Sequence, residues 1–293
     1  MTPQFLFPSY KELHPYNKRV LKRIRNFYRY HLYSLWCYAE RKQFESYLNH
    51  NPLWIPVFTD MPYRCNAVLK KFCDNRFNKK QRVEAVINSL AMAESKFGRE
   101  LASKLVEQKT VLLAQLTEEL SLYLNLNKID PFEGFFSLNI RNKADQNVYD
   151  ASFTFLQPNL LLIASIQGPK MEDAKEVVKG VTKALFGARP MFLLVHAFQI
   201  LAQTLDCELV GIAHKYQGKY RWNDHSRLLF NYDEFWQENH AEKNSRGYWK
   251  LPLTSERKPL EDIASKKRSM YRKRYEMFDK LEENVIHVLK HHA

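Results

Sequence analysis

The chain has 293 residues, 45% of them hydrophobic and 14% aromatic, which excludes a disordered or low-complexity protein and is enough to bury a sizeable core. The 45 Lys and Arg against 32 Asp and Glu give a formal net charge of +13 and point to an anionic partner: nucleic acid, phospholipid headgroups or a phosphorylated metabolite. Four cysteines without a CxxC pair argue against a zinc site and for reduced, buried thiols, and eight glycines with neither GxGxxG nor GxxxxGK[ST] argue against a dinucleotide fold or a Walker-type loop.

In chain order, the opening MTPQFLFPSYKELHPYNKR places Pro3, Pro8 and Lys11 before any apolar run, unlike a secretory signal, so a cytoplasmic location is expected. From Lys18 to about Lys128 the periodicity is helical, interrupted at Pro52, Pro56 and Pro62, and Lys79 to Asn125 reads as nearly continuous helix. Residues 1–130 are therefore expected to form an α-helical region. Its first segment carries Lys18, Arg19, Lys22, Arg23, Arg25 and Arg29 without an acid, interleaved with Phe27, Tyr28 and Tyr30.

After Pro131 the pattern changes. GFFSLNIR, NVYDASFTF and NLLLIASIQ are short runs rich in aromatic and branched residues, separated by the turns NKADQ and LQP, and predict three antiparallel strands. A turn at Gln167-Gly168-Pro169 leads to a helix over 172–186, a break at Gly187 to Pro190, a second helix to about Leu205, and a buried strand over 207–213. The apolar stretch from Phe192 to Leu205, interrupted by His196, Gln199 and Gln203, is shorter than the roughly 18 to 20 residues of a membrane span. YDEFWQE, a short strand over 248–253 and a final helix over about 260–290 complete an α+β domain at 131–293, the mixed sheet carrying helices and a basic C-terminal helix.

That last helix contains SKKRSMYRKRYEMF, where Lys266, Lys267, Arg268, Arg272, Lys273 and Arg274 precede the first acid, Glu276. At about 100° per residue these charges spread round the helix instead of forming one stripe, so two readings stand. Lys267, Arg268 and Arg272 contact an anion, or the cluster pairs within the chain, partly with the acids of YDEFWQE.

The blocks LLIASIQGPKMEDAKEVVKGVTKALFGARPMFLLVHAFQILAQ, VGIAHK, YDEFWQE and IASKKRSMYRKRYEMF, in this order and spacing, resemble the VirK/YbjX family of Gram-negative bacteria. YRCNAVLKKFCDNRFNKKQRVEAVINSLAMAESKF is similar to the family's N-terminal part, so the resemblance covers most of the chain. Where the family shows a VSN-type strand ending, this chain has Gly211-Ile212-Ala213-His214, which weakens any role for a polar side chain before His214. The resemblance implies a part in virulence and in tolerance of cationic antimicrobial peptides through the envelope, and implies no particular reaction.

Three antiparallel strands, a turn, a helix and a further strand also resemble the core of GCN5-related N-acyltransferases, which hold the pyrophosphate of acyl-CoA at a helix N-terminus. That resemblance implies Gln167 and Gly168 at the mouth of the cofactor loop; independently of it, His214 after an apolar strand is a candidate general base, and Arg189 beside Pro190 at a helix start is a candidate anion contact. The superfamily's full Q/R-x-x-G-x-G/A motif is absent, and Glu172, Asp173 and Glu176 crowd the helix start that would face the phosphates, with Lys170 and Lys175 only partly offsetting them. Plainer readings stand beside each assignment: a strand-end histidine for His214, a salt bridge for Arg189, a polar-face residue for His196, and core packing for Tyr232, Phe235 and Trp236. Asp233 with Glu234 is a weak acid/base or metal pair, since adjacent helical positions point about 100° apart, and Asp224 with His225, flanking a turn, is a weaker pair still. No metal is expected. Two functions remain open: a transferase using acyl-CoA or another donor on an anionic envelope precursor, and a noncatalytic basic protein binding nucleic acid or an anionic lipid surface.

Overall fold

The computed structural model describes residues 4–14, 20–128, 130–169, 173–220 and 230–291. The first part is helical: α1 (Tyr10–Leu13), α2 (Val20–Trp36), α3 (Tyr38–His50), α4 (Ile55–Thr59), α5 (Asn66–Leu69) and the long α6 (Lys79–Gln108). The sheet comprises β1 (Thr110–Gln115), β2 (Leu120–Leu126), β3 (Phe136–Asn142), β4 (Asn147–Leu156), β5 (Leu160–Gln167), β6 (Glu208–Gly211), β7 (Glu242–Lys243) and β8 (Trp249–Lys250). The remaining helices are α7 (Ala174–Ala184), α8 (Pro190–Thr204), α9 (Tyr232–Glu238) and α10 (Ser265–His291).

Local chemistry sets the helix ends. Asn78 and Gln81 cap α6 reciprocally, Gln81 N donating to Asn78 Oδ1 at 2.9 Å and Asn78 N to Gln81 Oε1 at 3.1 Å. Gly98, at φ +74°, breaks α6 in its second half, a conformation that costs a residue with a Cβ. Pro190 opens α8 where no intrahelical N–H is required.

The helical reading of Lys79 to Asn125 is corrected here. α6 stops at Gln108, Lys109 turns left-handed at φ +65°, and residues 110–126 form the β1–β2 hairpin. Leu, Ala and Gln favour helix, but Leu120, Leu122, Leu124 and Leu126 alternate with Ser121, Tyr123 and Asn125, and pairing with β3 overrides the propensity. The sheet therefore begins before Pro131, and the chain is an α+β protein with a helical N-terminal part and an eight-stranded mixed sheet.

Strand order is β1-β2-β3-β4-β5-β6-β8-β7. β1 to β5 form an antiparallel meander, β6 lies parallel to β5 after the α7–α8 crossover, and β8 and β7 continue antiparallel. Thr154 donates to Ser89 of α6 at 2.6 Å, while its neighbour Phe153 packs on Phe198 of α8 with ring centroids 5.3 Å apart. Successive strand residues face opposite sides, so Ser89 of α6 and Phe198 of α8 meet opposite faces of β4, while Phe97, further along α6, reaches Phe136 and Phe155 on the α8 side. Phe97, Phe136, Phe153, Phe155 and Phe198, all buried, form an aromatic cluster through the centre. The four cysteines are buried and unpaired.

His14, at the end of α1, lies against the Tyr10 and Tyr63 rings with Lys70 Nζ 3.5 Å from its Nε2. Burial, and then the Lys70 charge, push its pKa down to about 4. The folded state therefore holds His14 neutral, a contribution fully present above the unfolded value of about 6.5 and lost as pH falls towards 4. We expect chemical-denaturation stability to decline between pH 6.5 and 4 in the wild type, and His14→Gln to flatten the decline in that window.

Candidate functional site

Strand alternation assembles a polar floor on the α6 face of the sheet. Register places Asn125, Ser137, Ser152 and Ser165 side by side across four strands, and next to them Tyr123, Asn139, Asp150 and Gln167. Ser137, Ser152 and Ser165 are buried, so their hydroxyls require partners inside the protein. This row is visible in the sequence as the period-2 polar positions of FSLNIR, DAS and ASIQ.

At the β5 end of the floor sits Glu133, 4% exposed, on a single 3-10 turn (Pro131–Glu133) capped by Asp130, whose Oδ1 accepts from Phe132 N at 3.0 Å. Glu133 Oε2 accepts from Ser165 Oγ and from Gln167 Nε2, each at 2.8 Å. Its Oε1 lies 2.7 Å from Lys219 Nζ, which also reaches Asp130 Oδ2 at 3.1 Å. A hydroxyl has one proton, so Ser165 donates to Glu133 and accepts from Ser152, 3.1 Å away, while Asn127 Nδ2 donates to Ser152 at 3.2 Å. Burial raises the Glu133 pKa, opposed by the Lys219 charge. Burial would lower that of Lys219, but Glu133 and Asp130 reverse this and raise it. The result is a buried carboxylate of increased proton affinity beneath a partly exposed ammonium. With Lys219 displaced, it would take up a proton readily.

Beside this network the two parallel strands part. β5 and β6 pair from Leu160 with Glu208 to Ile163 with Gly211, and Ile212 N donates to Ile163 O at 3.0 Å. β5 continues to Gln167 without β6, and the Tyr232 hydroxyl of α9 takes its place: it accepts from Ile166 N at 3.1 Å and donates to Ile166 O at 3.2 Å. Tyr232 thus fills the fork at Ile166, where a transferase reading calls for a concave opening. α9 is held there by Trp236, whose Nε1 donates to Ile212 O at 2.8 Å and whose ring covers Gly211 so closely that a Cβ would overlap it. This explains the glycine in the Gly211-Ile212-Ala213-His214 strand ending.

The expected site residues occupy separate surroundings. Gln167 belongs to the Glu133 network, and Gly168 lies against the Tyr149 ring. His214 starts a 3-10 turn after β6; its backbone N donates to Asp233 Oδ1 at 2.8 Å, its ring lies 5.6 Å from that of Tyr220, and its Nδ1 is buried without a hydrogen-bond partner. Arg189 is exposed at the start of α8, its guanidinium 5.8 Å from the Phe192 ring centre. His196 bridges helices instead of facing a cleft: its Nδ1 lies 3.3 Å from both Gln199 and Ser255, its ring rests on Phe278, and burial lowers its pKa. Tyr232, Phe235 and Trp236 are core residues.

Pairing of the terminal basic cluster with the YDEFWQE acids is corrected. Asp233 accepts from His214 N and from Trp249 Nε1, pinning α9 to β6 and β8. Arg268 donates to the carbonyls of Ile263 and Glu261, and Arg274 to that of Phe186. Lys267 and Arg272 are exposed. Asp173 and Glu176 flank the start of α7. Lys18, Arg19, Lys170, Glu172, Asp224 and His225 lie outside the described residues.

A second polar cluster ties α6's approach to the β7–β8 hairpin. Asp74, its side chain fully buried, receives Arg76 through two guanidinium nitrogens and the Tyr248 hydroxyl at 2.7 Å. Arg76 stacks on Tyr216, 3.6 Å from the ring centre. An open depression of about 430 Å³ lies over these groups, bordered by Glu84 and Asn88 of α6 and by Arg246. Every hydrogen-bonding group of Asp74 is directed at its own chain, which marks the cluster as a structural tie. Among the described residues no three His, Cys, Asp or Glu side chains converge as a metal site, and no helix is long and apolar enough to cross a membrane.

Residues 19–287 match the family described as "Protein of unknown function (DUF535)". The chain belongs to that family, which is the VirK/YbjX family. It is 54% identical over 280 residues to an uncharacterized protein of Haemophilus influenzae, covering 94% of this chain and 96% of the relative. It is 35% identical over 217 residues to "Membrane protein LapB" of Mannheimia haemolytica (73% and 94% of the two chains), and 25% identical over 253 residues to "Uncharacterized protein YbjX" of Escherichia coli (81% and 76%). No solved structure matches.

Two measurements probe this architecture. Lys219→Met leaves Glu133 buried and unpaired and should cost about 3 kcal/mol at neutral pH, the low end for a broken pair because Lys219 is partly exposed. A carboxylate whose folded pKa is raised is most favourable below its unfolded value, so the loss should shrink towards pH 4.5, and adding Glu133→Gln should restore stability at pH 7. Gly211→Ala should destabilise by roughly 1 to 3 kcal/mol through overlap with Trp236, read as a lower denaturation midpoint with unchanged slope.

Proposed function

We propose that this protein serves the envelope of a Gram-negative cell by transferring a group, acyl or similar, onto an anionic envelope precursor, with Glu133 as proton acceptor. The observation that carries the reading is the buried Glu133 carboxylate, of raised proton affinity, held by Ser165 and Gln167 where β5 and β6 part. In acyl transfer from a thioester, the attacking amine or hydroxyl forms the new bond to the carbonyl carbon, its proton passes to Glu133, and the C–S bond breaks to release thiolate. The envelope setting follows from the family resemblance, and one relative is named a membrane protein.

The order of three antiparallel strands, a helical crossover and a parallel strand that diverges supports a GCN5-like topology. Two features weigh against the usual acyl-CoA placement: Tyr232 occupies the fork, and Asp173 and Glu176 stand at the start of α7. A donor entering there displaces the Tyr232 hydroxyl from Ile166. His214, with its unpartnered Nδ1, is a second group able to relay a proton, and exposed Lys267 and Arg272 are anion contacts on α10.

A thermal-shift screen against acyl-CoAs, nucleotides and envelope-precursor headgroups tests the reading, because a specific ligand raises the midpoint by mass action. An acyl-CoA should raise the wild-type midpoint, and Glu133→Gln should keep that shift while abolishing transfer. If no acyl-CoA or other donor shifts the midpoint, and binding to polyanions falls steeply with salt, the noncatalytic alternative replaces it.

A further inference from the structure

α2 turns its apolar side away from the protein. At about 100° per residue, Val20, Leu21, Ile24, Tyr28, Leu32 and Leu35 fall within an arc of about 120°. All six are exposed, Leu21 by 83% and Leu35 by 76%. The opposite side is anchored: Tyr30 and Ser34 are buried, and the Tyr30 hydroxyl donates to Pro8 O at 2.9 Å. An amphipathic helix of a soluble fold normally does the reverse, and contiguous apolar surface of this kind marks an interaction site.

Charge identifies the occupant. Lys22, Arg25 and Arg29 run along one border of the apolar arc, and α2 contains no Asp or Glu. Trp36, exposed, sits at the end of the same border with Lys79 Nζ 5.6 Å from its ring centre. Aliphatic side chains in the middle with cations and an indole at the edge match the boundary between lipid tails and anionic headgroups. Nucleic acid fits poorly, because leucine and isoleucine offer bases no stacking surface. A symmetric contact between two copies would repeat the same patch, bringing like-charged borders together on a chain of net charge +13.

We infer that α2 is an interfacial anchor that seats this protein on an anionic phospholipid surface, Leu21, Leu32 and Leu35 entering the acyl boundary while Lys22, Arg25 and Arg29 meet phosphate oxygens. This goes beyond the group-transfer reading and does not depend on it. The anchor binds without any reaction at Glu133.

The test is sedimentation of the full chain with vesicles of phosphatidylcholine alone and of phosphatidylcholine with phosphatidylglycerol. The wild type should pellet with the anionic vesicles at least about tenfold more strongly than with the neutral ones, the preference fading with salt. Leu32→Glu with Leu35→Glu should lower pelleting by about tenfold or more, and Arg25→Glu with Arg29→Glu should remove the preference for anionic lipid. All four side chains are exposed, so circular dichroism and the melting midpoint should stay at wild-type values, and Lys267→Glu with Arg272→Glu on α10 should still pellet. The inference is overturned if the leucine variant binds vesicles as well as wild type, or if the α10 variant alone loses binding. It is equally overturned if light scattering shows a wild-type dimer that the leucine variant dissolves while neither binds vesicles.

Discussion

The parallel pairing of β5 with β6 stops at Ile163 and Gly211, and the backbone that continues to Gln167 must satisfy its polar groups elsewhere. Tyr232 meets that requirement at Ile166 with one hydroxyl acting as donor and acceptor. For the hydroxyl to arrive there, α9 must lie flat across the end of β6, which requires a residue without a Cβ at 211 and sets Trp236 over it. Asp233 then fastens the same helix to His214 and Trp249. The closing of the fork, the placing of His214 and the seating of the final hairpin are consequences of one strand outrunning its neighbour.

On the other side of that strand end the constraint is electrostatic. A carboxylate within a sheet floor of serines is tolerable because Ser165 and Gln167 supply donors and Lys219 supplies charge. In the chain from Asn127 through Ser152 and Ser165 to Glu133 every hydrogen bond points towards the carboxylate, since Glu133 accepts and Asn127 donates. The network is thus directional, and its open side is the partly exposed Lys219. A structural network and a proton acceptor share these groups, the distinction being whether Lys219 can leave.

Much of the second half was legible. The three strand runs after Pro131, the α7 and α8 helices with their break at Gly187 to Pro190, and the long basic helix lie within a few residues of where turn residues and periodicity put them. The hairpin at 110–126 was not, because its leucines favour helix in isolation and only the β3 edge turns their alternation into a strand. For the site, Gln167 stands out in the sequence beside a turn that resembles a cofactor loop. Its actual partner, Glu133, is 34 residues earlier on a short turn that no local pattern distinguishes. Cations were equally opaque: the sequence leaves the cluster of Arg268 and Arg274 between an anion and partners within the chain, and both arginines cap backbone carbonyls that only helix docking brings within reach.

The amino-acid sequence by itself determined the family, the excess of positive charge, the absence of a glycine-rich phosphate loop and most element types, since each depends on residue identity and short spacing. It also contained the apolar periodicity of α2, but not its direction, because a helical stripe looks the same whether it faces the core or the solvent. Only the tertiary structure decided that this stripe points outward, that Tyr232 closes the strand fork and that Glu133 meets Lys219. Those outcomes rest on the relative placement of elements far apart in the chain, which burial and hydrogen-bond satisfaction select after the local structure has formed.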